Sequence, residues 1–205
     1  MVDVLRVDRK VSVVAHGFKE MRQEATQIAA ECSVPESLQA SKELYASTTH
    51  QVRMVAVFVL GDIGAKSGEA VRILREKVST DSSWQVQEIL AQAFNQYCKD
   101  VGYEASVPTI TDWMVDKNPN VRRAATEGLR IWNSKPYFKQ HPQEAIRLLA
   151  RLKGDESEYV RTAVGNAIRD ISRNEDRMVK RELDTWNVSE ASVAFTHALA
   201  SRFLK

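Results

Sequence analysis

The chain has 205 residues, 43% of them hydrophobic and 27% charged, with 29 Lys and Arg against 27 Asp and Glu. This is enough apolar material for a packed core and excludes a disordered chain, while 8 glycines and 5 prolines are too few for a barrel or sandwich of many short strands. Two cysteines, Cys32 and Cys98, cannot form a disulfide framework, so the expected setting is a reduced cytosol.

The N-terminal stretch MVDVLRVDRKVSVVAHG has charges scattered through it, unlike a signal peptide, and no apolar run approaches the roughly 20 residues that cross a bilayer. No membrane partner is expected. Helical periodicity is predicted over Glu36–Ser47 and again in HQVRMVAVFVLG from His50, where Val52, Val55, Ala56 and Val59 fall at i, i+3, i+4 and i+7. A helix over Ser67–Val78 precedes SWQVQEILAQAF from Ser83, and one over Val107–Val115 precedes PNVRRAATEGLR from Pro119. Gln143–Leu152 precedes EYVRTAVGNAIR from Glu158, and Asp176–Trp186 precedes a weaker copy, SVAFTHALASRF, around Val193. The connectors carry caps and breakers: Asp81-Ser82-Ser83, Asn118-Pro119-Asn120, Gly154-Asp155-Glu156-Ser157 and Ser172-Arg173-Asn174.

The anchor valines Val52, Val86, Val121 and Val160 recur 34, 35 and 39 residues apart, and Asp81, Asp116 and Asp155 each precede an anchor by five residues. Periods of this size mean stacked helix pairs. The pattern of Asp followed by Val-Arg resembles HEAT repeats. It implies one all-α domain over residues 1–205, a right-handed superhelical solenoid of about five HEAT-like helical pairs. In that fold such Asp and Arg side chains link neighbouring repeats, which is one reading of Arg53, Arg122 and Arg161.

Charge is unevenly spread. From Lys117 to Arg181 there are 15 Lys and Arg against 8 Asp and Glu, a net of +7, which leaves −5 for the remainder. Such polarity suggests a basic face and an acidic partner such as nucleic acid; solvated helix faces are the plainer alternative. Arg123, Arg130, Arg169 and Arg173 lie outside the ladder position and, with Arg122 and Arg161, form the candidate DNA-binding set.

Several site types are absent from the sequence. Gly61-Asp62-Ile63-Gly64-Ala65-Lys66-Ser67 lacks the spacing of a phosphate loop and reads as an inter-helix turn. His16, His50, His141 and His197 are isolated from one another and from the cysteines, so no metal site and no cofactor is expected. Asn187-Val188-Ser189 matches a glycosylation sequon by chance if the protein is cytosolic. Trp84 and Glu88 remain. Four apart on a helix, they share a face, and a ring beside a carboxylate can hold a cationic or positively developing group. The alternative is a half-buried packing Trp beside an ordinary surface Glu.

The set Trp84-Gln-Val-Gln-Glu88, Val121-Arg-Arg123-Ala-Ala, Glu158 through Ser172 and Thr196-His-Ala-Leu199 resembles the HEAT-like-repeat DNA alkylation repair superfamily, the AlkC/AlkD-like DNA glycosylases that remove cationic alkylpurines such as 3-methyladenine and 7-methylguanine. The likeness runs from about residue 17 to the end. It implies a bacterial protein of the cytosol or nucleoid whose partner is double-stranded DNA, held through the phosphate backbone. It also implies that Trp84 packs on the lesion-bearing sugar, Glu88 stabilises oxocarbenium character and orients water, and Arg123 holds a flanking phosphate. Two departures stand out. Asn166 occupies the position of a second Trp in AlkD-type members, although it is at home among AlkC-type ones. Only 16 residues precede Gly17, too few for the additional helical pair of the AlkD-like pattern. Both are features of shortened, non-catalytic relatives. The resemblance therefore implies a DNA-binding protein with weak or absent glycosylase activity, the rivals being an active glycosylase and a protein-interaction scaffold.

Overall fold

The computed structural model describes residues 2–204, and the chain divides into two compact units, one ending at Val101 and the other beginning at Gly102. The first holds α1 (Val4–Val11), α2 (Lys19–Glu31), α3 (Val34–Tyr45), α4 (His50–Ile63), α5 (Gly68–Glu76) and α6 (Trp84–Val101). The second holds α7 (Val107–Met114), α8 (Pro119–Gly128), α9 (Pro136–Gln140), α10 (Pro142–Ala150), α11 (Glu158–Leu183) and α12 (Ala191–Ala200). No strand occurs among the described residues, and no helix among them is long and apolar enough to cross a membrane. The class is all-α, as the helical periodicity predicts.

The five expected pairs are present, with ends shifted by up to three residues, and α1 with α2 adds a further pair ahead of them. One boundary differs in kind. The helix expected from Asp176 does not start afresh but continues from the preceding one, the join being marked by non-helical backbone at Glu175 (φ −128°, ψ 44°). The anchor valines Val52, Val86, Val121 and Val160 are each fully buried, and Val193 is 3% exposed, so the weak fifth copy is a true repeat. Burying each of these side chains contributes about 1.5–3 kcal/mol to the hydrophobic stabilisation of its repeat.

A polar clasp fixes the start of each anchor helix. Asp81, Asp116 and Asp155 each accept the backbone N–H two residues on, from Ser83, Asn118 and Ser157, all at 2.8 Å. These Asx turns hold the connectors in register. The residue after each anchor valine then reaches back to the carbonyls of its own connector. Arg53 bonds Ser47 and Thr48, Gln87 bonds Asp81, Arg122 bonds Asp116 and Lys117, and Arg161 bonds Asp155 and Glu156. Two arginines also span to the next connector. Arg53 grips both carboxylate oxygens of Asp81 at 2.9 and 3.0 Å, and Arg122 grips those of Asp155 at 2.7 and 2.8 Å. Paired forks of this kind are the strongest ion pairs available to a carboxylate. Arg161 has no such mate because Val188 stands five residues before Val193, and its Nε is buried without a partner.

The N-terminal pair is held by another charge cluster. Glu24 of α2 is fully buried and takes Arg6 and Lys10 of α1, the latter at 2.5 Å. Burial alone would raise its pKa, yet the bonds from Lys10 and Arg6 hold it below the ordinary glutamate value.

Two glycines allow neighbouring helices to close. A Cβ at Gly61 would sit 2.7 Å from the Ala93 Cα, and one at Gly165 would sit 2.6 Å from the Leu199 Cβ. Gly61, in the segment that superficially looked like a phosphate loop, therefore serves the packing of α4 on α6, and Gly165 that of α11 on α12.

Two outcomes are expected. Val121→Asp, which would bury an unpaired charge where no connector can reach it, should cost on the order of 4 kcal/mol in urea unfolding. The second concerns acid. Burial raises the Asp81 pKa, but the bonds from Arg53, the Ser83 N–H and the Tyr45 hydroxyl outweigh it and leave the pKa lowered. A carboxyl group with a depressed folded pKa adds stability above its unfolded value of about 3.9 and loses it as pH falls through the folded value. Asp81→Asn should therefore be less stable than wild type at neutral pH, and the gap should shrink below about pH 4 in urea midpoints measured across pH.

Candidate nucleic-acid interface

In the first unit, the Asp81 clasp fixes the connector from which α6 starts, and Trp84 is the first residue of that helix. The indole is 67% exposed and Glu88, one turn on, is half-buried. The ring is therefore exposed and not half-buried in packing. A ring this size left in water forgoes about 2 kcal/mol of burial, which the fold recovers only if something covers it. Trp84 and Glu88 border a cavity of about 470 Å³ whose other walls include Gly17, Phe18, His16, His50, Gln51 and Met54.

Sequence reasoning missed Phe18, His16 and His50, and treated the two histidines as isolated; they line one cavity. A signal was available for His50. It stands two residues before Val52, as Trp84 stands two before Val86, so the repeat register puts both at the exposed start of an anchor helix. Phe18 packs against the Phe58 ring at 6.1 Å, and Arg22 lies over Phe58 while bonding Asp62 at 2.7 Å. No group of three or more potential metal-ligating side chains occurs among the described residues.

The second unit carries the remaining candidates, and it separates them. Arg122 is only 7% exposed, and its five donors go to the Asp155 fork, the Asp116 and Lys117 carbonyls and Glu156, which is the ladder role and leaves none for a DNA phosphate. Arg161 gives one terminal nitrogen to the Asp155 and Glu156 carbonyls and lies over the Phe195 ring at 5.4 Å, with no carboxylate fork of the Arg122 kind. Arg123 is 7% exposed, and its guanidinium stacks 4.1 Å above the exposed ring of Tyr159, a neighbour the sequence did not suggest. Asn166 is half-buried on α11, beside the glycine on which α12 closes. Arg130, Arg169 and Arg173 do come together, around a separate concavity of about 410 Å³. Two quoted motif residues prove to be packing elements. Leu199 meets Gly165, and the fully buried Thr196 hydroxyl donates to the Lys153 carbonyl at 2.6 Å.

Fold and site thus define an all-α helical-repeat protein with an exposed Trp–Glu pair at a cavity and clustered arginines. The chain matches the model for the DNA alkylation repair enzyme family over residues 10–201, and it belongs to that family. It is 44% identical to AlkD2 from Streptococcus mutans, whose crystal structure superposes with a TM-score of 0.96 over 98% of this chain and 97% of that one. It also shares its fold with the alkylpurine DNA glycosylase AlkC of Pseudomonas fluorescens, solved bound to DNA containing an abasic-site analogue. That match has a TM-score of 0.52 and 21% identity and covers 97% of this chain and 61% of AlkC. A further relative, the uncharacterised protein YhaZ of Bacillus subtilis, is 30% identical over 116 residues. The match spans 50% of this chain and about a third (32%) of YhaZ.

Exposure and burial separate the tryptophans experimentally. Trp84→Ala should change unfolding free energy by no more than about 0.5 kcal/mol. Trp132→Ala, which removes a fully buried ring bonded to the Thr126 carbonyl, should cost about 3–5 kcal/mol in the same urea titration.

Proposed function

We propose that the protein binds double-stranded DNA through the phosphate backbone, as a member of this family in which glycosylase activity is weak or absent. The observation that carries this reading is the contrast between the two aromatic positions implied by the family resemblance. Trp84 is present and 67% exposed, while position 166 is an asparagine that offers no ring. Cleaving the N-glycosidic bond of a cationic alkylpurine develops positive charge on the sugar. Glu88 can stabilise that charge and orient water, but the rate depends on holding the sugar in place, and losing a positioning surface can remove several orders of magnitude.

The basic segment from Lys117 to Arg181 supplies the backbone contacts in this reading, with Arg123, Arg130, Arg169 and Arg173 as the arginines left after the ladder is subtracted. No metal or cofactor is needed, since a cationic base already leaves readily. The intact Trp84–Glu88 pair favours one second reading, an active alkylpurine glycosylase of AlkC-like type in which Asn166 is no defect.

Binding to an undamaged duplex should be detectable at about 50 mM salt and fall steeply by about 200 mM, because phosphate contacts release counterions. Release of 3-methyladenine and 7-methylguanine from alkylated duplex should be near background and unchanged by Glu88→Gln. Robust release abolished by Glu88→Gln would establish the active reading. Undetectable binding at 50 mM would move the assignment to a protein-interaction scaffold.

A further inference from the structure

The concavity around Arg130, Arg169 and Arg173 contains a polar group with nothing to bond. Asn133 is 9% exposed and lines this concavity, and its amide nitrogen and carbonyl oxygen are covered from solvent and have no protein partner, so a turn of the side chain would be needed to present them to a ligand. A buried amide left unsatisfied opposes folding and so calls for a physical reason, of which a bound ion or water is one. Packing keeps Asn133 in place. It is the middle residue of a single 3-10 turn, Trp132–Ser134, and the adjacent Trp132 is fully buried, donates to the Thr126 carbonyl at 3.0 Å and packs on Phe138 at 4.8 Å.

The charges around it favour an anion. Arg130 uses its Nε on Asp170 at 2.9 Å and a terminal nitrogen on Glu127 at 3.2 Å. Arg169 meets Asp170 at 3.3 Å through one terminal nitrogen, while its Nε is buried without a partner. Arg173 has no carboxylate partner among the described residues. Its guanidinium lies 4.6 Å from the Phe203 ring, which also carries Arg169 at 5.3 Å. Three guanidinium groups against two carboxylates leave the concavity positive.

The unpaired groups also specify what kind of anion. Arg169, Arg173 and the Asn133 nitrogen need acceptors, whereas the Asn133 oxygen needs a donor. Sulfate and a phosphodiester are acceptors only at neutral pH. A phosphate that keeps a P–OH satisfies both needs, and orthophosphate does so at pH 7, as does a terminal monoester below its second pKa of about 6. We propose that this concavity is a binding site for a protonated phosphate, gripped by Arg169 and Arg173 and oriented by Asn133. The site draws on Arg130, Arg169 and Arg173, which the proposed function also uses for backbone contacts, but its selectivity through Asn133 does not require that reading; a DNA strand end is one source of such a group.

Calorimetric titration with sodium phosphate and with sodium sulfate, at matched ionic strength and pH 6.5, tests it. Phosphate should bind wild type with one site and in preference to sulfate. Asn133→Leu removes an unsatisfied amide without changing side-chain volume much, so the variant should fold normally by circular dichroism. It should nevertheless weaken phosphate binding about tenfold and lose the preference over sulfate, and Arg173→Gln should weaken both anions. Duplexes with 5′-phosphate and 5′-hydroxyl ends, compared at about pH 5.5 where the terminal monoester keeps its P–OH, identify the source. Tighter binding of the phosphorylated duplex, lost in Asn133→Leu, assigns the site to strand ends; equal binding of the two assigns it to free phosphate. If neither duplex binds while phosphate does, the DNA reading falls and this site stands. No phosphate binding, sulfate bound as well as phosphate, or an Asn133→Leu variant indistinguishable from wild type would overturn the proposal.

Discussion

The arginine–aspartate clasp is the interaction on which the rest of this structure depends. A helix pair cannot bury its apolar face alone, so each repeat is stable only if the next is set against it at the right height and angle. Hydrophobic burial around Val52 or Val121 is not directional and would tolerate sliding. The clasp is directional. One aspartate caps its own connector and receives a two-pronged guanidinium from the preceding anchor helix, as Asp81 does from Arg53 and Asp155 from Arg122. Burial and the neighbouring Asp81 carboxylate push the Tyr45 phenol well above its ordinary pKa, so it stays a hydrogen-bond donor to that carboxylate and closes the clasp from a third side.

That constraint passes directly to the candidate site. Because the Asp81 connector is rigid, the first turn of α6 starts at a fixed place, and Trp84 is presented to solvent instead of being folded into the core. Where the ladder ends, the arginine remains but its mate does not. Arg161 keeps its bonds to the connector carbonyls and settles over Phe195. Near the C-terminus, cation–π contacts take over from ion pairs, with Arg169 and Arg173 sharing the Phe203 ring. Guanidinium groups held over rings keep their edge donors available, which ion-paired ones do not. This is the physical difference between Arg122, which builds the fold, and Arg173, which can meet an anion.

The sequence by itself determined the helical class, the repeat period and the buried anchors, because each is written in short-range spacing, while the clasp came only as what the HEAT resemblance implies. A valine every 34–39 residues, with an aspartate five before three of the four and an arginine one after three of the four, is a local pattern that recurs, and recurrence exposes it. It also brought Trp84 and Glu88 together, since residues four apart on a helix share a face whatever the tertiary structure does. Tertiary structure alone decided which arginines are spent and which are not. Arg122, at the ladder position, was open in sequence to both a ladder and a DNA role, and only its long-range partner Asp155 chooses between them; Arg173, outside that position, acquires Phe203. The same holds for His16 and His50 on one cavity and for Asn133, whose unpaired amide is invisible until Trp132 and three arginines surround it. Exposure and pairing are properties of what the folded chain brings near, and spacing along the chain does not encode them.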